Sequence, residues 1–389
     1  MTLNEIKRLG KANYDEIFSL SQFAFQYELK EEEFIKKENE ASRHSIWGWM
    51  DGDKLAAKLH IIPLTSYVNG KSFEMGGISS VATWPEYRRQ GIIKHLLFHA
   101  LKEMKHNGQT ISFLAPFSIP FYRKYGWELA FTHKEYDIPI GHFKRNWEAK
   151  GYVRRIKQDI PLLDDMYTIY AKRLTGMLAR DAEWWEQRVL TDAAHIAVAY
   201  NEADVAEGYL IYNVKENICT VKEIAYTSLN GRKLLLQFIA NHDSMASKVK
   251  MTVPENDNLT LLLDDPTFEQ KIVPYFMARI VDVFAFLKQY PFQETGETQS
   301  VVIHVEDTFF SENSGAYQLA SSEAVVNVEK LSQEQSGIHC TVQLLASMFL
   351  GYKRPFELYN ADLIQGEIGD IERLEALIPE QQTFFADFF

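Results

Sequence analysis

The amino-acid sequence predicts an α+β fold divided into two or three units, and three observations carry that prediction. Through the first third, segments of helical and strand periodicity alternate. The same order, two strands and then a helix, returns between about residue 150 and Ala278. From Tyr290 onward, alternating strand-like runs lead into an apolar helix. A chain of 389 residues is long enough for two or three domains. With 46% hydrophobic and 24% charged residues it is neither disordered, nor collagen-like, nor a disulfide scaffold.

Asn13 to Tyr27 places Ile17, Leu20, Phe23, Ala24 and Tyr27 on one helical face. Glu28 to Glu40 is charged and reads as a loop or a solvated helix. Three strand runs follow. Ser45–Met50 ends at Asp51-Gly52-Asp53, Lys54–Val68 ends at the hairpin signal Asn69-Gly70, and Ser72–Thr83 comes next. Ile92 to His106 is a helix with Ile93, Leu96, Leu97, Ala100, Leu101 and Met104 inward. Thr110–Ala115 is a short buried strand, Ile119–Lys124 one or two helical turns, and Trp127–Tyr136 another strand. Lys144 to Arg155 is polar and basic, as a linker is. Beyond it, strands at Tyr209–Val214 and Ile218–Tyr226 and a helix near Leu234–Asn241 hint at a duplicated fold. The last unit shows strands at Ser300–Val305 and near Ala324–Val328, then the helix Thr341–Leu350.

Charge narrows the partners. With 41 basic and 53 acidic residues the net charge is −12, the wrong sign for a general binder of nucleic-acid phosphates. Cationic small substrates fit better. Cys219 and Cys340 lie far apart with no CxxC, which argues against a zinc ribbon or a redox pair. Met1 to Arg8 has no apolar core or cleavage site, and no apolar run approaches about 18 residues. A cytoplasmic protein without a membrane span is expected. His95 and His99 have a spacing that can hold a metal, but with no third ligand in view they are expected to pack, and no metal is expected.

The sharpest segment is Val81-Ala82-Thr83-Trp84-Pro85-Glu86-Tyr87-Arg88-Arg89-Gln90-Gly91-Ile92-Ile93-Lys94. A strand runs through a turn into a helix, whose first amides are free to bind an anion such as phosphate. Gly91 lets the backbone approach the anion, and Arg88, Arg89 and Lys94 add positive charge. The bland alternative is an ordinary strand–turn–helix with exposed arginines. There is no GxGxxG or GxxxxGK[ST] in the chain.

About one βα unit downstream stands Pro116-Phe117-Ser118-Ile119-Pro120-Phe121-Tyr122-Arg123-Lys124-Tyr125-Gly126-Trp127. In a parallel layout the ends of both strands face one crevice, so Tyr122 can reach a ligand held by the Arg89–Lys94 loop. A phenol, with a pKa near 10, can protonate a departing thiolate. The alternative is a packed tyrosine in an aromatic turn. The end, Thr383-Phe384-Phe385-Ala386-Asp387-Phe388-Phe389, has four phenylalanines in its last six residues and reads as docked into protein. A docked α-carboxylate shielded from water is a stronger base than its reference value of about 3.5 implies. The alternative is a tail that only anchors the last unit.

Val81–Lys94 resembles the acetyl-CoA-binding motif of the GNAT superfamily of N-acetyltransferases, [RQ]-x-x-G-x-[GA], with Ile93 where Gly or Ala is commoner. Phe121–Trp127 is similar to the superfamily's FYxxxGF element. Arg180-Asp181-Ala182-Glu183-Trp184-Trp185, Ile280-Val281-Asp282-Val283 and Leu350-Gly351-Tyr352-Lys353-Arg354-Pro355 resemble markers of the Eis (enhanced intracellular survival) subfamily. That resemblance covers nearly the whole chain. It implies two GNAT-like mixed-sheet domains, a catalytic one at 1–148 and one without a CoA loop at 149–286, then a sterol-carrier-protein-like domain at 287–389. It implies an acetyl-CoA-dependent transfer to a primary amine of an aminoglycoside-like compound, a polyamine or lysine, by direct attack in a ternary complex.

By the same resemblance, Val81, Ala82 and Thr83 hold the pantetheine arm, and Arg89, Gln90, Gly91, Ile92, Ile93 and Lys94 hold the pyrophosphate. Phe117 and Ser118 line the thiol end. Tyr122 is the general acid, and the α-carboxylate of Phe389 is the general base. The acid that aminoglycoside-acetylating members carry just before the terminal Phe is here Phe388, with Asp387 one step back. A homo-oligomer, trimer or hexamer, is expected; apolar runs of the last domain such as Thr341–Leu350 would allow a lipid, but a filled core is the expected use of those residues. A non-catalytic acetyl-CoA- or lipid-binding regulator is the alternative function.

Overall fold

The computed structural model describes residues 4–389 except 145, 191–193, 323, 324 and 334. Three sheets organise the chain. The first has seven strands in the spatial order Asn4–Leu9, Ser45–Asp51, Lys54–Val68, Lys71–Thr83, Ile111–Leu114, Met277–Ile280 and Glu128–Leu129. Its pairing is antiparallel except between Lys71–Thr83 and Ile111–Leu114, which makes the sheet mixed. The second sheet runs Glu269–Pro274, Thr132–Pro139, Lys248–Val253, Ile218–Tyr226, Ala206–Lys215, His195–Tyr200 and Tyr152–Ile156. The third has four strands, Val325–Leu331, Gly315–Ser322, Gln299–Glu306 and Ile338–Thr341.

The first two sheets cross the expected boundary at 148/149 in both directions. Thr132–Pro139 pairs in the second sheet, and Met277–Ile280 inserts between two strands of the first. The expected strand Trp127–Tyr136 is therefore two strands in different sheets, with the chain passing from one to the other at Ala130–Phe131. The expected linker Lys144–Arg155 ends in an edge strand, Tyr152–Ile156. Glu31–Ser42 is a solvated helix. On the helix Tyr14–Phe25, Phe23 is 51% exposed against the Trp84 ring, so it does not share the buried face of Ile17 and Leu20. Of the expected strand near Ala324–Val328, Ala324 lies outside the described residues, and the strand covers Val325–Leu331.

Helix Ile92–His106 packs on the first sheet through Ile92, Leu96, Leu97, Ala100, Leu101 and Met104, each worth about 1.5–3 kcal/mol for its larger side chains. A second core runs unbroken from Ile62, Phe73 and Phe113 of that sheet to Ile303, Leu345 and Leu374 of the last unit. Arg279, fully buried, stacks near Trp127 and bonds Asp307 and the Tyr125 carbonyl, tying the last unit beneath the first. A side chain on Gly126, whose φ is +90°, would collide with that guanidinium. Among the described residues no helix is long and apolar enough to cross a membrane.

Candidate active site

Lys71–Thr83 and Ile111–Leu114 pair in parallel only from Met75 to Ile78. Beyond Ile78 the first strand continues to Thr83 while the second ends, so the edge of Ser79–Thr83 that faces away from Lys54–Val68 is open. The opposite edge is disturbed too. Its register slips between Lys58 and His60, opposite Ser80, which takes a left-handed φ of +51°. Such a bulge twists the strand and re-aims its side chains.

A cavity of about 650 Å³ opens at this split. That size suits a small-molecule site. Val81, Ala82, Thr83, Arg89, Gly91, Ile92, Ile93, Lys94 and Phe117 all line it, with Arg88. Gly91 caps the helix Ile92–His106 at φ +78°, and nothing lies within 4 Å of where its Cβ would be. The first intrahelical bond runs from the His95 amide to the Gly91 carbonyl, so the amides of Ile92, Ile93 and Lys94 precede it. No acidic residue occupies that first turn. Free amides, positive side chains and open space over a left-handed glycine are what a pyrophosphate requires. Two expected residues stand apart from the lining. The Gln90 side chain turns back to donate to the Glu86 carbonyl at 3.1 Å, and Ser118 caps the short helix Ile119–Arg123.

A second cavity of about 340 Å³ adjoins the first and shares Phe25, Val81 and Phe117 with it. Tyr122 and Phe389, 267 positions apart in the sequence, both line it. Tyr122 is 3% exposed, ringed by Phe117, Phe121 and Trp127, and burial pushes its phenol above the ordinary value. It stays protonated, as a proton donor must.

The tail reaches this cavity by specific contacts. Phe384 donates its amide to the Thr175 carbonyl at 2.9 Å. Phe384, Phe385 and Phe389 are buried, whereas Phe388 is 62% exposed, so three of the four phenylalanines anchor. The Phe389 ring lies against Phe276 and Phe385 and over Gly77, where a Cβ would come within 2.7 Å of it. Asp387 is buried. It accepts from Arg180 Nε at 3.0 Å and Trp184 Nε1 at 2.8 Å, and its carbonyl accepts from Tyr275 at 2.8 Å.

The three marker segments thus have physical work. Arg180 and Trp184 clamp the tail, and Asp282 caps the helix Val283–Gln289. Arg354 bonds Glu375 and the carbonyls of Ile378 and Pro379, just upstream of the tail. His95 and His99 pack on Trp49 and Trp47.

The sequence reading missed a polar cluster on the wall of the second cavity: His44, His60, Ser80, Glu40 and Arg188, with Lys58 behind them. Its one sequence signal was Lys58 and His60, two polar residues two apart within the apolar run Leu55–Leu64, where a period of two puts both on one face.

The second sheet repeats the split. Ile218–Tyr226 and Lys248–Val253 pair in parallel only from Ile218 to Val221. Here, however, the following helix, Leu229–Ala240, is capped by Ser228, and the Glu207 carboxylate accepts from Ser228 Oγ and Asn230 Nδ2, both at 2.8 Å. Ser228 Oγ also accepts from the Gly231 amide, so this helix start is closed by the chain's own side chains.

The first domain thus brings together a strand pair split beside a bulge, a helix N-terminus with free amides and a buried tyrosine at the crevice. Models of the GNAT acetyltransferase domain match residues 5–130 and 176–280, and a sterol carrier protein domain matches residues 283–386. The chain thus carries two GNAT acetyltransferase domains in tandem, followed by a sterol carrier protein domain. An uncharacterized N-acetyltransferase of Streptomyces griseus is 22% identical over 270 residues, covering 62% of this chain and 64% of that one. The chain therefore spans just under two thirds of the length of the curated relatives it matches.

Among solved structures, a probable N-acyltransferase of Enterococcus faecalis is 27% identical with a TM-score of 0.93, covering all of both chains. A GCN5-related N-acetyltransferase of Anabaena variabilis is 23% identical with a TM-score of 0.88, and Eis1 of Mycobacterium abscessus 20% identical with 0.82, each over 100% of both chains. The last two show the shared fold.

Proposed function

We propose that the protein is an Eis-type N-acetyltransferase that moves acetyl from acetyl-CoA to the primary amine of a small molecule or a lysine. The observation that carries this is the junction of the two cavities, one shaped for the anionic carrier and the other lined by Tyr122 and Phe389. Acetyl-CoA supplies the acyl thioester. The open edge of Val81–Thr83 and the amides of Ile92–Lys94 hold and orient it, and Phe25, Val81 and Phe117 line the shared passage. The Phe389 α-carboxylate takes the proton of the acceptor ammonium, which cannot attack while protonated. Tyr122 gives its proton to the departing sulfur. Holding both reactants in adjoining cavities supplies much of the rate gain. Catalysis resides in the first domain, and Glu207 keeps the second free of CoA.

The test is a thiol-release screen of amines with acetyl-CoA, run on the native chain, on Tyr122→Phe and on a chain extended beyond Phe389. Tyr122→Phe is expected to lower turnover by about 10²–10⁴-fold with acetyl-CoA affinity unchanged. The extended chain is expected to lose most activity. Full activity in both would leave Tyr122 and Phe389 as packing residues.

A further inference from the structure

Lys58 stands out in the first sheet. It is fully buried in the strand Lys54–Val68, where a lysine ordinarily needs a carboxylate partner. Its Nζ meets other groups: the Ser80 carbonyl at 3.0 Å, Ser80 Oγ at 2.6 Å and His60 Nε2 at 3.3 Å. His60 Nδ1 in turn lies 3.2 Å from His44 Nδ1. His44, His60 and Ser80 line the cavity that Tyr122 and Phe389 also line. An unbroken chain of hydrogen bonds therefore runs from the wall of that cavity to a buried amine.

We propose that His44, His60 and Lys58 are a proton relay that drains the proton shed by the acceptor nitrogen, an inference that rests on the amine-acetylation reading above. The Phe389 carboxylate can take that proton but, with a reference pKa of about 3.5, cannot keep it at neutral pH. A stronger base must follow. Burial brings Lys58 down to about 7, so its amine is neutral for much of the time in which the enzyme works.

The hydrogen-bond inventory sets two states. With Lys58 neutral, its lone pair accepts from His60 Nε2–H, and His60 Nδ1 accepts from His44 Nδ1–H. His44 Nε2 is then the open basic nitrogen. A proton arriving there forms an N–H bond. The Nδ1–H proton of His44 passes to His60 Nδ1, and the Nε2–H proton of His60 passes to Lys58. The product is an ammonium whose three N–H groups meet Ser80 O, Ser80 Oγ and His60 Nε2. No bond is left unbalanced, and both imidazoles end neutral in their other tautomers. Solvent later removes the proton by the reverse path.

The surroundings favour tautomer exchange over imidazolium. Lys37 and Glu40 face the pair from the helix Glu31–Ser42, Arg43 lies beside His44, and Arg188 comes from the turn Trp185–Val189. Glu40 is bridged by Lys37 at 2.9 Å and Arg188 at 3.1 Å, and Arg43 pairs with Asp181 and Glu183. Tyr27 and Tyr122 complete the titratable lining. Burial first, and then the cations, hold His44 down at about 3 and His60 well below its ordinary value.

Two measurements test the relay. Histidine-selective ¹⁵N NMR is expected to show His44 and His60 exchanging tautomers together, both neutral, with a midpoint near 7, and Lys58→Met is expected to freeze them. In the amine-acetylation assay, kcat of the native enzyme is expected to rise through the same pH. Lys58→Met, and His44→Gln at the half-buried cavity wall, are expected to lose that rise and about 10²-fold in kcat, with the KM for acetyl-CoA unchanged. His44→Gln covers the case in which the core variant fails to fold. A single fixed tautomer for each histidine from about pH 5.5 to about 8.5, or a native pH–rate profile in His44→Gln, overturns the relay. If the native protein acetylates no amine while the tautomers still switch with Lys58, the amine reading falls and the hydrogen-bonded relay stands.

Discussion

The tail clamp can be broken at one carboxylate. Asp387→Ala removes the acceptor of Arg180 Nε and Trp184 Nε1 and leaves both donors buried. Breaking a buried ion pair costs about 3–5 kcal/mol. Arg180 keeps Glu223, whose two oxygens accept from it at 2.9 and 2.6 Å, so its charge is not abandoned and the cost falls near about 3. The orphaned Trp184 N–H adds about 1–3 kcal/mol. Against this stands the docking of Phe384, Phe385 and Phe389, worth at most about 2 kcal/mol for each ring, or about 6 in all. The variant tail is thus expected to be released for a large part of the time, while the three sheets stay folded.

Amide exchange should show loss of protection confined to the tail. Turnover should fall in proportion to the docked fraction, by about twofold or more, and acetyl-CoA affinity should be unchanged because no tail residue lines the larger cavity. Arg180→Met makes the sharper test. Burial already pushes the Asp387 carboxyl up, and the Arg180 charge pulls most against it, ahead of the Trp184 hydrogen bond. Without the guanidinium, Asp387 docks as the neutral acid. Docking is then complete at low pH and is lost as pH rises and the carboxyl must ionise in place, so activity of this variant should decline towards alkaline pH relative to the native enzyme. A protected tail and native turnover in Asp387→Ala would refute the reasoning and make Asp387 a bystander.

Three further outcomes follow from the same geometry. Gly91→Glu, which puts both a Cβ on a left-handed residue and a carboxylate at the free amides, should abolish acetyl-CoA binding by calorimetry with the melting temperature little changed. Lys58 is held at about 7 in the fold against 10.5 in the free side chain, so the unfolded chain binds the extra proton between those values. Stability should therefore rise with pH across that window, by about 1.4 kcal/mol per unit, and the rise should appear in the difference between the native and Lys58→Met stability curves, because the variant lacks the amine. Light scattering should report a trimer or hexamer at working concentrations, and a monomer would remove the oligomer from the proposal.

What the sequence could reveal depended on locality. The helix Ile92–His106 and its buried face were legible because a period of 3.6 needs no knowledge of the partner, except that Ile92 is buried where Ile93 was expected and Ile93 lines the cavity. So was Gly91, whose role is a backbone conformation. Strand membership was not legible: Thr132–Pro139 and Met277–Ile280 look like any strands, and only packing sends each into the other domain's sheet. Asp387 illustrates the same limit. In sequence it is an acid one step from an expected position, and in space it is a buried partner of Arg180, unavailable to a polycationic substrate. Lys58 and His60 announced themselves only as polar residues in an apolar strand, and His44, sixteen residues from His60, gave no sign at all.

The two domains of the tandem differ in how each helix start beside the split is closed. Each has a parallel strand pair that parts, followed by a helix whose N-terminus faces the gap. Four free amide groups are a cost at any helix start unless something accepts from them. In the second domain the chain answers with its own groups: Ser228 Oγ accepts from the Gly231 amide, and Glu207 is held there by three hydrogen bonds that pull its carboxyl below the ordinary range. In the first domain Gly91 offers no capping side chain, and the first turn carries no acid. That helix start is satisfied by water or by an incoming anion, and its preference for the anion is the binding energy the site has to offer. Swapping the devices follows as a test. Placing Ser at Gly91 supplies the missing acceptor, though at φ +78° it also strains the backbone. It should weaken acetyl-CoA binding less than Gly91→Glu does, and equal losses in the two variants would mean that backbone strain, and not competition for the amides, decides the affinity.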